Sequence, residues 1–262
     1  MLVFPQLATG ASALYPVTRM NVTRTVVNAM GDGSMVVFGD PDAGRREWEL
    51  RASGLTLNEW TAIDALFQSA TGRFATFTFL DPFGNLLLRS EEFGDPAWDN
   101  SPLIQLTPGV SDPLGTTRAT QVVNAGSAAG AIAQTLAVPG NFRYTLSVWA
   151  KTTGVSNVTL SATTSGGSAT RSTALTSQWT RASLDVALGL NTDSVVFGAV
   201  LDVGAIVDLF GMQVEAQPGA SDYKKTNGSG GVYSTARFAE DELTVTAKGT
   251  DEFDAVVNIV AS

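Results

Sequence analysis

The sequence contains neither cysteine nor histidine. Without cysteine the chain can form no disulfide bond, no thiolate nucleophile and no zinc-thiolate site. Without histidine it lacks the commonest general base and metal ligand, and a Ser-His-Asp triad is excluded. The enzymatic chemistry that remains is carboxylate chemistry, above all glycoside hydrolysis.

Charge is sparse and mostly negative. Only 16% of the 262 residues are charged, and the formal net charge is −9. Nucleic-acid binding requires clustered Lys and Arg, so we expect no nucleic-acid partner.

No window approaches the roughly 20 apolar residues that cross a bilayer, and residues 1–11 lack a basic stretch. We therefore expect neither membrane insertion nor a standard secretion signal.

The composition favours strands and turns over helices. The chain has 26 glycines, 10 prolines and 44% hydrophobic residues, enough apolar surface for a packed core or two. Domains typically run about 100 to 150 residues, so two domains are the better expectation. The sequence predicts a mainly β protein.

The sequence clearly predicts one helix. It begins at Thr56, with Glu59 three residues later in the arrangement of a capping box. Its apolar stripe recurs at helical spacing and comprises Trp60, Ile63, Leu66, Phe67 and Ala70. Thr71 and Gly72 supply a C-terminal stop.

Alternating stretches flank this helix and predict strands at residues 46–52 and 74–80. The sequence Asp-Pro-Phe-Gly at residues 81–84 predicts a tight turn. Because the apolar run 86–88 follows, we expect a hairpin there.

Beyond residue 88 the chain becomes rich in Ser, Thr, Gly and Ala. Residues 143–151 alternate, with Tyr144, Leu146, Val148 and Ala150 on one face. Further strand candidates lie at residues 158–163, 179–188, 194–201 and 206–216. These strands are enough for an inserted jelly-roll-like β-sandwich.

The chain then returns to its first domain. Residues 224–231 contain an Asn-Gly-Ser-Gly-Gly run and are interpreted as a flexible linker. Strands predicted at residues 232–238, 243–247 and 255–260 are too few to form a domain by themselves. We therefore expect residues 1–88 together with 232–262 to form one discontinuous domain with one helix, and residues 90–226 to form the inserted sandwich.

Alternation places Trp149 on the polar face of its strand, together with Arg143. An exposed indole could stack on a sugar ring. Gln213 and Glu215 share one face and could bind sugar hydroxyls, and Trp179 is a further candidate. These five residues form the candidate carbohydrate-binding set. The alternatives are that the tryptophans pack under a loop, at an edge or at an interface, and that the two polar residues face solvent.

Three acidic groups could in principle supply paired carboxylates or oxygen ligands for calcium: Glu91-Glu92, Asp40 with Asp42, and Glu240-Asp241-Glu242. None has the spacing of a known site. We interpret them as solvated turns, and expect no catalytic residues, no metal site and no cofactor.

Several motifs in the middle region resemble those of a known class of β-sandwich module. Residues 89–93 with Trp98 resemble the opening of the carbohydrate-binding-like β-sandwich modules that recur in phage tail and tail-fibre proteins. Residues 211–215, Gly219-Ala220 and Asp222-Tyr223 resemble their closing pattern, and residues 144–151 and 178–184 their inner strands. One departure is that Lys224-Lys225 follows Tyr223, where the closing motif has isoleucine.

The outer region resembles phage minor tail proteins of the distal-tail type in residues 5–19, 48–57, 72–74 and 80–82. The resemblance implies a tail-tube-like β-sandwich with one helix. It also implies a ring, usually hexameric, that joins the tail tube to the tip or hub proteins of the virion tail, after assembly in the cytoplasm of the bacterial host.

The leading hypothesis is a non-enzymatic tail-tip or baseplate subunit whose inserted sandwich contacts host-surface glycans. The alternative is a stand-alone carbohydrate-binding protein without a virion role. A third hypothesis, a glycosidase, requires two carboxylates about 5 to 10 Å apart across a cleft.

Overall fold

A computed structural model describes residues 1–261, apart from the side chains of residues 41 and 42. The described residues form sixteen strands and one helix, which confirms the mainly β prediction. The helix is α1 Leu57–Ala70. The strands are β1 Val17–Ala29, β2 Met35–Leu55, β3 Phe77–Leu80, β4 Asp99–Asn100, β5 Ile104–Val110, β6 Ala119–Asn124, β7 Gly130–Leu136, β8 Arg143–Lys151, β9 Asn157–Thr164, β10 Gly167–Ala174, β11 Thr180–Ala187, β12 Val195–Leu201, β13 Ile206–Glu215, β14 Val232–Phe238, β15 Val245–Gly249 and β16 Glu252–Ala261.

The chain divides into two compact units. The first unit comprises residues 1–7, 13–79 and 233–261, and the second comprises residues 8–12 and 80–232. Leu86 and Leu87 are buried in the core of the second unit, which is why residues 80–88 belong to it. The separate roles expected for an assembly domain and a binding domain stay predictions.

The first unit is a six-stranded sheet with one helix. Its strands are ordered β1-β2-β16-β14-β3, and β15 pairs with β16. The predicted helix is confirmed: Thr56 and Glu59 form the capping box, and Thr71 ends the helix in the left-handed conformation with φ 54°. The helix buries Ile63, Leu66 and Ala70. Residues 77–80 form the strand expected there, but it begins three residues later than the pattern suggested.

Most of β1 and the first part of β2 form an exposed two-stranded extension. Residues 22–39 are called the arm. Its turn is closed by a hydrogen bond from the Met30 N–H to the Ser34 carbonyl (2.7 Å). Across the arm Val26 lies opposite Phe38, and Val27 lies opposite Val37. The two pairs point to opposite faces because side chains alternate along a strand.

The second unit is a sandwich of two five-stranded antiparallel sheets. The strand orders are β10-β9-β12-β7-β4 and β11-β8-β13-β6-β5. The inward face predicted for β8 is confirmed, since its four apolar side chains are at most 1% exposed in the core between the sheets. This is the jelly-roll-like sandwich expected from the sequence.

The chain enters and leaves the second unit through two paired segments, residues 81–90 and 226–231, which we call the neck. The Asp81 N–H donates to the Gly231 carbonyl (2.8 Å), and the Arg89 N–H donates to the Asn227 carbonyl (2.9 Å). Gly230 lies against the Leu86 carbonyl where no Cβ would fit. The expectation of a flexible linker is therefore wrong for the part of 224–231 that lies in the neck.

The hairpin expected after the turn at residues 81–84 is also wrong. The turn is present, with the Gly84 N–H bonded to the Asp81 carbonyl (2.9 Å). Residues 86–88 form no strand, however, because the side chains of Leu86 and Leu87 enter the sandwich core.

The sandwich core should dominate the stability of the second unit. We expect Leu146→Ala, at a fully buried position, to lower the free energy of unfolding by about 2 to 5 kcal/mol through lost burial and the remaining cavity. Val155→Ala, at a fully exposed position, is the control and should change it by less than about 0.5 kcal/mol. Chemical denaturation measures both, and equal effects would contradict the assigned core.

Candidate functional site

The outward face of the sheet β11-β8-β13-β6-β5 carries all five candidate residues. Gln213 lies opposite Ser147, and Glu215 lies opposite Thr145, after a register shift between residues 210 and 213. The register therefore puts Gln213 and Glu215, which share one face as the alternation predicts, on the same face as Trp149. The shift depends on Gly211, which has φ 64° and lies against the Tyr223 ring, so that a Cβ would come within 2.9 Å of it.

One part of this face is covered by residues 217–226, which we call the strap. Gln213 is fully buried beneath it: its side-chain oxygen accepts from the Lys224 N–H (2.7 Å), and its amide donates to the Asp222 carbonyl (3.3 Å). Glu215, 2% exposed, accepts from the Ser221 N–H (3.0 Å) and from the Lys224 ammonium (2.8 Å). Both side chains hold the strap, so in this structure neither is open to a sugar, contrary to the expectation from alternation alone.

The electrostatics of Glu215 follow from this arrangement. Burial by itself would raise the pKa of the carboxyl, but the hydrogen bonds from Lys224, Ser221 and Gln213 outweigh it, and the net pKa lies below its ordinary value. Glu215 is therefore a charged group, stabilised by the strap that it stabilises in turn.

A second anchor fixes the strap near the neck. The Tyr223 ring packs against Phe210 with the ring centroids 5.2 Å apart, and its hydroxyl lies 3.1 Å from the carboxylate of Glu91. Glu91 also pairs with Arg118 (3.0 Å) and Lys225 (2.9 Å). The interpretation of Glu91 as part of a solvated turn is therefore wrong, because this carboxylate is buried between two cations and a phenol.

Arg143 lies at the strap end of β8. Its guanidinium makes two 2.8 Å hydrogen bonds to the Asp185 carboxylate. That carboxylate holds the pKa of Arg143 above its ordinary value. Since Trp149 is six residues further along the same strand, Arg143 lies roughly 20 Å from it. The structure does not bring these two candidates together.

Trp149 and Trp179 lie further along the face, and both are half-buried. Arg181 and Phe210, the register partners of Trp149, still contact the strap residues Ser221 and Tyr223. The Lys151 ammonium lies over the Trp179 ring, 4.9 Å from its centroid, and 3.5 Å from the Asp208 carboxylate. The Gln121 amide donates to the same carboxylate (3.4 Å).

These contacts belong to a row that crosses the sheet. Lys151, Asp208, Gln121 and Thr107 are successive register partners on β8, β13, β6 and β5, and Trp179 directly precedes β11. We call these five residues the aromatic row. Five neighbouring strands span roughly 19 Å, the scale of a short oligosaccharide. Trp149 flanks the row, opposite Arg181 on β11.

The aromatic row offers the contacts that a carbohydrate requires. An indole presents an apolar face to a sugar ring, while ammonium, carboxylate, amide and hydroxyl groups donate to or accept from its hydroxyls. The row holds a single carboxylate, Asp208, whereas glycoside hydrolysis by the usual route uses two. Among the described residues, no group of three or more acidic side chains is arranged to hold a metal ion.

Sequence reasoning missed the middle of the aromatic row. Alternation places Lys151 with Trp149, but Asp208, Gln121 and Thr107 come from strands whose register the sequence does not encode locally. The sequence feature that could have pointed to these residues is a single polar residue between apolar neighbours, such as Asp208 between Val207 and Leu209.

The chain matches no protein-family description and no curated protein. Solved structures with a similar fold include the enzymatically active domain of bacteriophage CBA120 tailspike protein 4, with 13% identity and a TM-score of 0.42. That match covers 52% of this chain and 22% of the tailspike chain.

Two carbohydrate-binding modules are similar as well. The xylan-binding CBM22-1 domain of Paenibacillus barcinonensis Xyn10C has 15% identity and a TM-score of 0.42, over 52% of this chain and 97% of that one. TmCBM61, solved with beta-1,4-galactotriose, has 14% identity and a TM-score of 0.40, over 50% and 97%. At these scores the likeness extends to the general arrangement of a β-sandwich and assigns neither a family nor a ligand.

The strap should give the second unit a defined pH dependence. Because the folded-state pKa of Glu215 is depressed, its contribution to stability is present above the unfolded pKa and is lost as pH falls through the folded one. We expect Glu215→Gln to lower the free energy of unfolding by about 1 to 3 kcal/mol at pH 7, and this difference to shrink below the ordinary glutamate pKa of about 4.3.

Denaturation at several pH values measures this difference, with Glu240→Gln at an exposed position as the control. A constant difference between wild type and Glu215→Gln from pH 7 to pH 3 would contradict the assigned role.

Proposed function

We propose that this chain is a structural, non-enzymatic subunit of a bacteriophage tail tip or baseplate, of the distal-tail type. In this proposal the first unit assembles with copies of itself into a ring, in a hexameric arrangement, between the tail tube and the tip or hub proteins. The second unit is a peripheral module that binds host-surface glycans. The observation that carries the assembly part is the arm.

The arm exposes apolar side chains on both faces. On one face lies Phe38, 56% exposed, and on the other lie Val27, Val37 and Met35, which are 54%, 58% and 69% exposed. An isolated two-stranded hairpin is marginally stable in water. Exposed apolar surface of this kind marks an interaction site, and we infer that the arm is covered in the assembled state.

The phage-tail setting is supported by the motif resemblances in residues 5–19, 48–57 and 211–215. A multi-copy tail structure requires each subunit to present surface to its neighbours, and the arm supplies such a surface. Virion localisation, the tail-tube and hub partners and the ring number are parts of the same proposal.

The aromatic row supports the glycan-binding part. Its indole, ammonium, carboxylate and amide groups are half-buried and share one face, which preorganises them for a ligand. The same observation favours the alternative, a stand-alone carbohydrate-binding protein without a virion role. The two functions differ in what they predict for the arm, because a stand-alone binder does not need it covered.

Self-assembly is tested on the arm. We expect the wild-type chain to form oligomers of about six subunits, and Val27→Ser/Val37→Ser/Phe38→Ser to weaken association at least tenfold, because the removed side chains are exposed in the single chain and buried only between copies. Light scattering coupled to size-exclusion chromatography measures both. Val155→Ser/Val203→Ser, at exposed positions of the second unit, is the matched control. A wild type that stays monomeric at all concentrations would favour the alternative.

Glycan binding is tested separately on the aromatic row and on Trp149, which flanks it. We expect Trp149→Ala and Trp179→Ala each to weaken binding to a panel of bacterial surface glycans by about tenfold, equivalent to about 1.4 kcal/mol. Leu114→Ala, at an exposed position outside the row, should leave binding unchanged. If no glycan of the panel binds the wild type, or if the tryptophan variants bind as tightly, the row is not a glycan site.

A further inference from the structure

A positive charge, the guanidinium of Arg181, lies beside Trp149 on the outward face of the sheet β11-β8-β13-β6-β5. The two residues are register partners on β11 and β8, and both side chains are half-buried. Partners in an antiparallel pair have Cα atoms roughly 5 Å apart. A sugar that stacks on the Trp149 indole is therefore within reach of the Arg181 guanidinium as well.

The hydrogen bonds of this guanidinium go to neutral groups. Its Nη1 donates to the Ser221 carbonyl (2.6 Å), and its Nη2 donates to the Ser147 hydroxyl (3.0 Å). A guanidinium carries five N–H donors, so three remain, and one of them, on Nε, is buried without an acceptor in the part of the chain that the structure describes. The two bonds tie the strap to β8, but a neutral amide side chain could make them too. They therefore do not account for the positive charge at this position.

The carboxylates near Arg181 do not compensate its burial. Burial lowers the pKa of Arg181 below the ordinary arginine value, and the charges of Glu215 and Asp222, which raise it, do not outweigh this effect. The Glu215 carboxylate is itself bound by the Lys224 ammonium (2.8 Å). Since an arginine in a protein stays protonated even so, Arg181 is a partly desolvated positive charge in a chain of net charge −9.

The other two cations on β8 and β11 each have a carboxylate partner. Arg143 pairs with Asp185 (2.8 Å), and Lys151 pairs with Asp208 (3.5 Å). Among the described residues, no carboxylate forms an ion pair with Arg181, whose bonds are the two to neutral oxygens. Arg181 is therefore the cation of these two strands whose charge is left for a ligand.

We propose that the ligand of this face is an acidic glycan, a sugar that carries a carboxylate or a phosphate, and that Arg181 binds the acidic group while the sugar ring stacks on Trp149. The proposal rests on the proposed glycan binding and names its ligand class. The planar guanidinium matches the oxygens of a carboxylate or a phosphate, and such charge-assisted hydrogen bonds are stronger than those to neutral hydroxyl groups. A neutral sugar leaves the charge of Arg181 without a partner, so Arg181 determines specificity.

Chemical modification of the ligand tests this class with the wild-type chain. The probes are oligosaccharides from bacterial surface polysaccharides that contain a uronic acid or a phosphomonoester. Each is measured as isolated, after reduction of its carboxyl groups to alcohols, and after treatment with alkaline phosphatase. We expect the loss of the recognised acidic group to weaken binding by about tenfold or more, and the treatment that has this effect distinguishes a carboxylate from a phosphate. Isothermal titration calorimetry measures the affinities.

A variant then assigns the preference to Arg181. In Arg181→Gln, which keeps amide donors for the strap but loses the charge, the preference for the acidic over the neutral form should fall from about tenfold or more to less than about threefold. A role in holding the strap alone would weaken binding of both forms equally and leave the preference unchanged. Arg171→Gln, at an exposed position of β10 in the other sheet, is the control and should keep the wild-type preference. Circular dichroism checks folding.

The outcomes separate this proposal from the proposed function. If the wild type binds the acidic and the neutral forms equally well, or if Arg181→Gln keeps the preference, the acidic class is wrong while glycan binding stands. If the wild type binds no form of any of these oligosaccharides and no neutral glycan, the proposed glycan binding fails, and the acidic class fails with it. Binding of neutral glycans alone overturns the acidic class only.

Discussion

The second unit depends on the neck, where two distant parts of the chain are joined by backbone hydrogen bonds. Because residues 81–90 and 226–231 pair there, a sandwich of about 150 residues can begin and end at one place, which an insertion within another unit requires. Asn85 adds two hydrogen bonds to the neck. Its side-chain amide donates to the Met212 carbonyl (2.9 Å), and its side-chain oxygen accepts from the Val214 N–H (3.0 Å). The neck thus also fixes the end of β13, from which the strap departs.

The position of the neck divides the outward face of the sheet β11-β8-β13-β6-β5 into two parts. At one end the strap returns to the neck across the face, buries Gln213 and Glu215 and supplies their hydrogen-bond partners. Burial without these partners would cost about 1 to 3 kcal/mol for each group. At the other end the same strands present Trp149 and the aromatic row. One end of the face is therefore buried and structural, while the other presents the groups proposed to bind a ligand, and a residue's position along the strand decides its surroundings more than its chemistry does.

How much of this was predictable depends on how local each signal is. The capping box at Thr56 and the alternation of β8 are read over a few residues, and both predictions are confirmed. The hairpin predicted at residues 86–88 and the flexible linker predicted at residues 226–231 were wrong because the structure of both segments comes from contacts more than a hundred residues away in the sequence. The arm escaped prediction for a different reason: adjacent Val26 and Val27 on opposite exposed faces break the rule that only one face of a strand is apolar.

The arm and the aromatic row together favour a chain that assembles through its first unit and binds through its second. The claim on which this account depends is that the arm is covered by another copy. The most direct measurement is an electron cryomicroscopy reconstruction of the wild-type oligomer at a resolution that separates strands. The account predicts a closed ring in which every arm lies on the first unit of its neighbour. Arms that extend freely into solvent, or subunits joined only through their sandwiches, would contradict it.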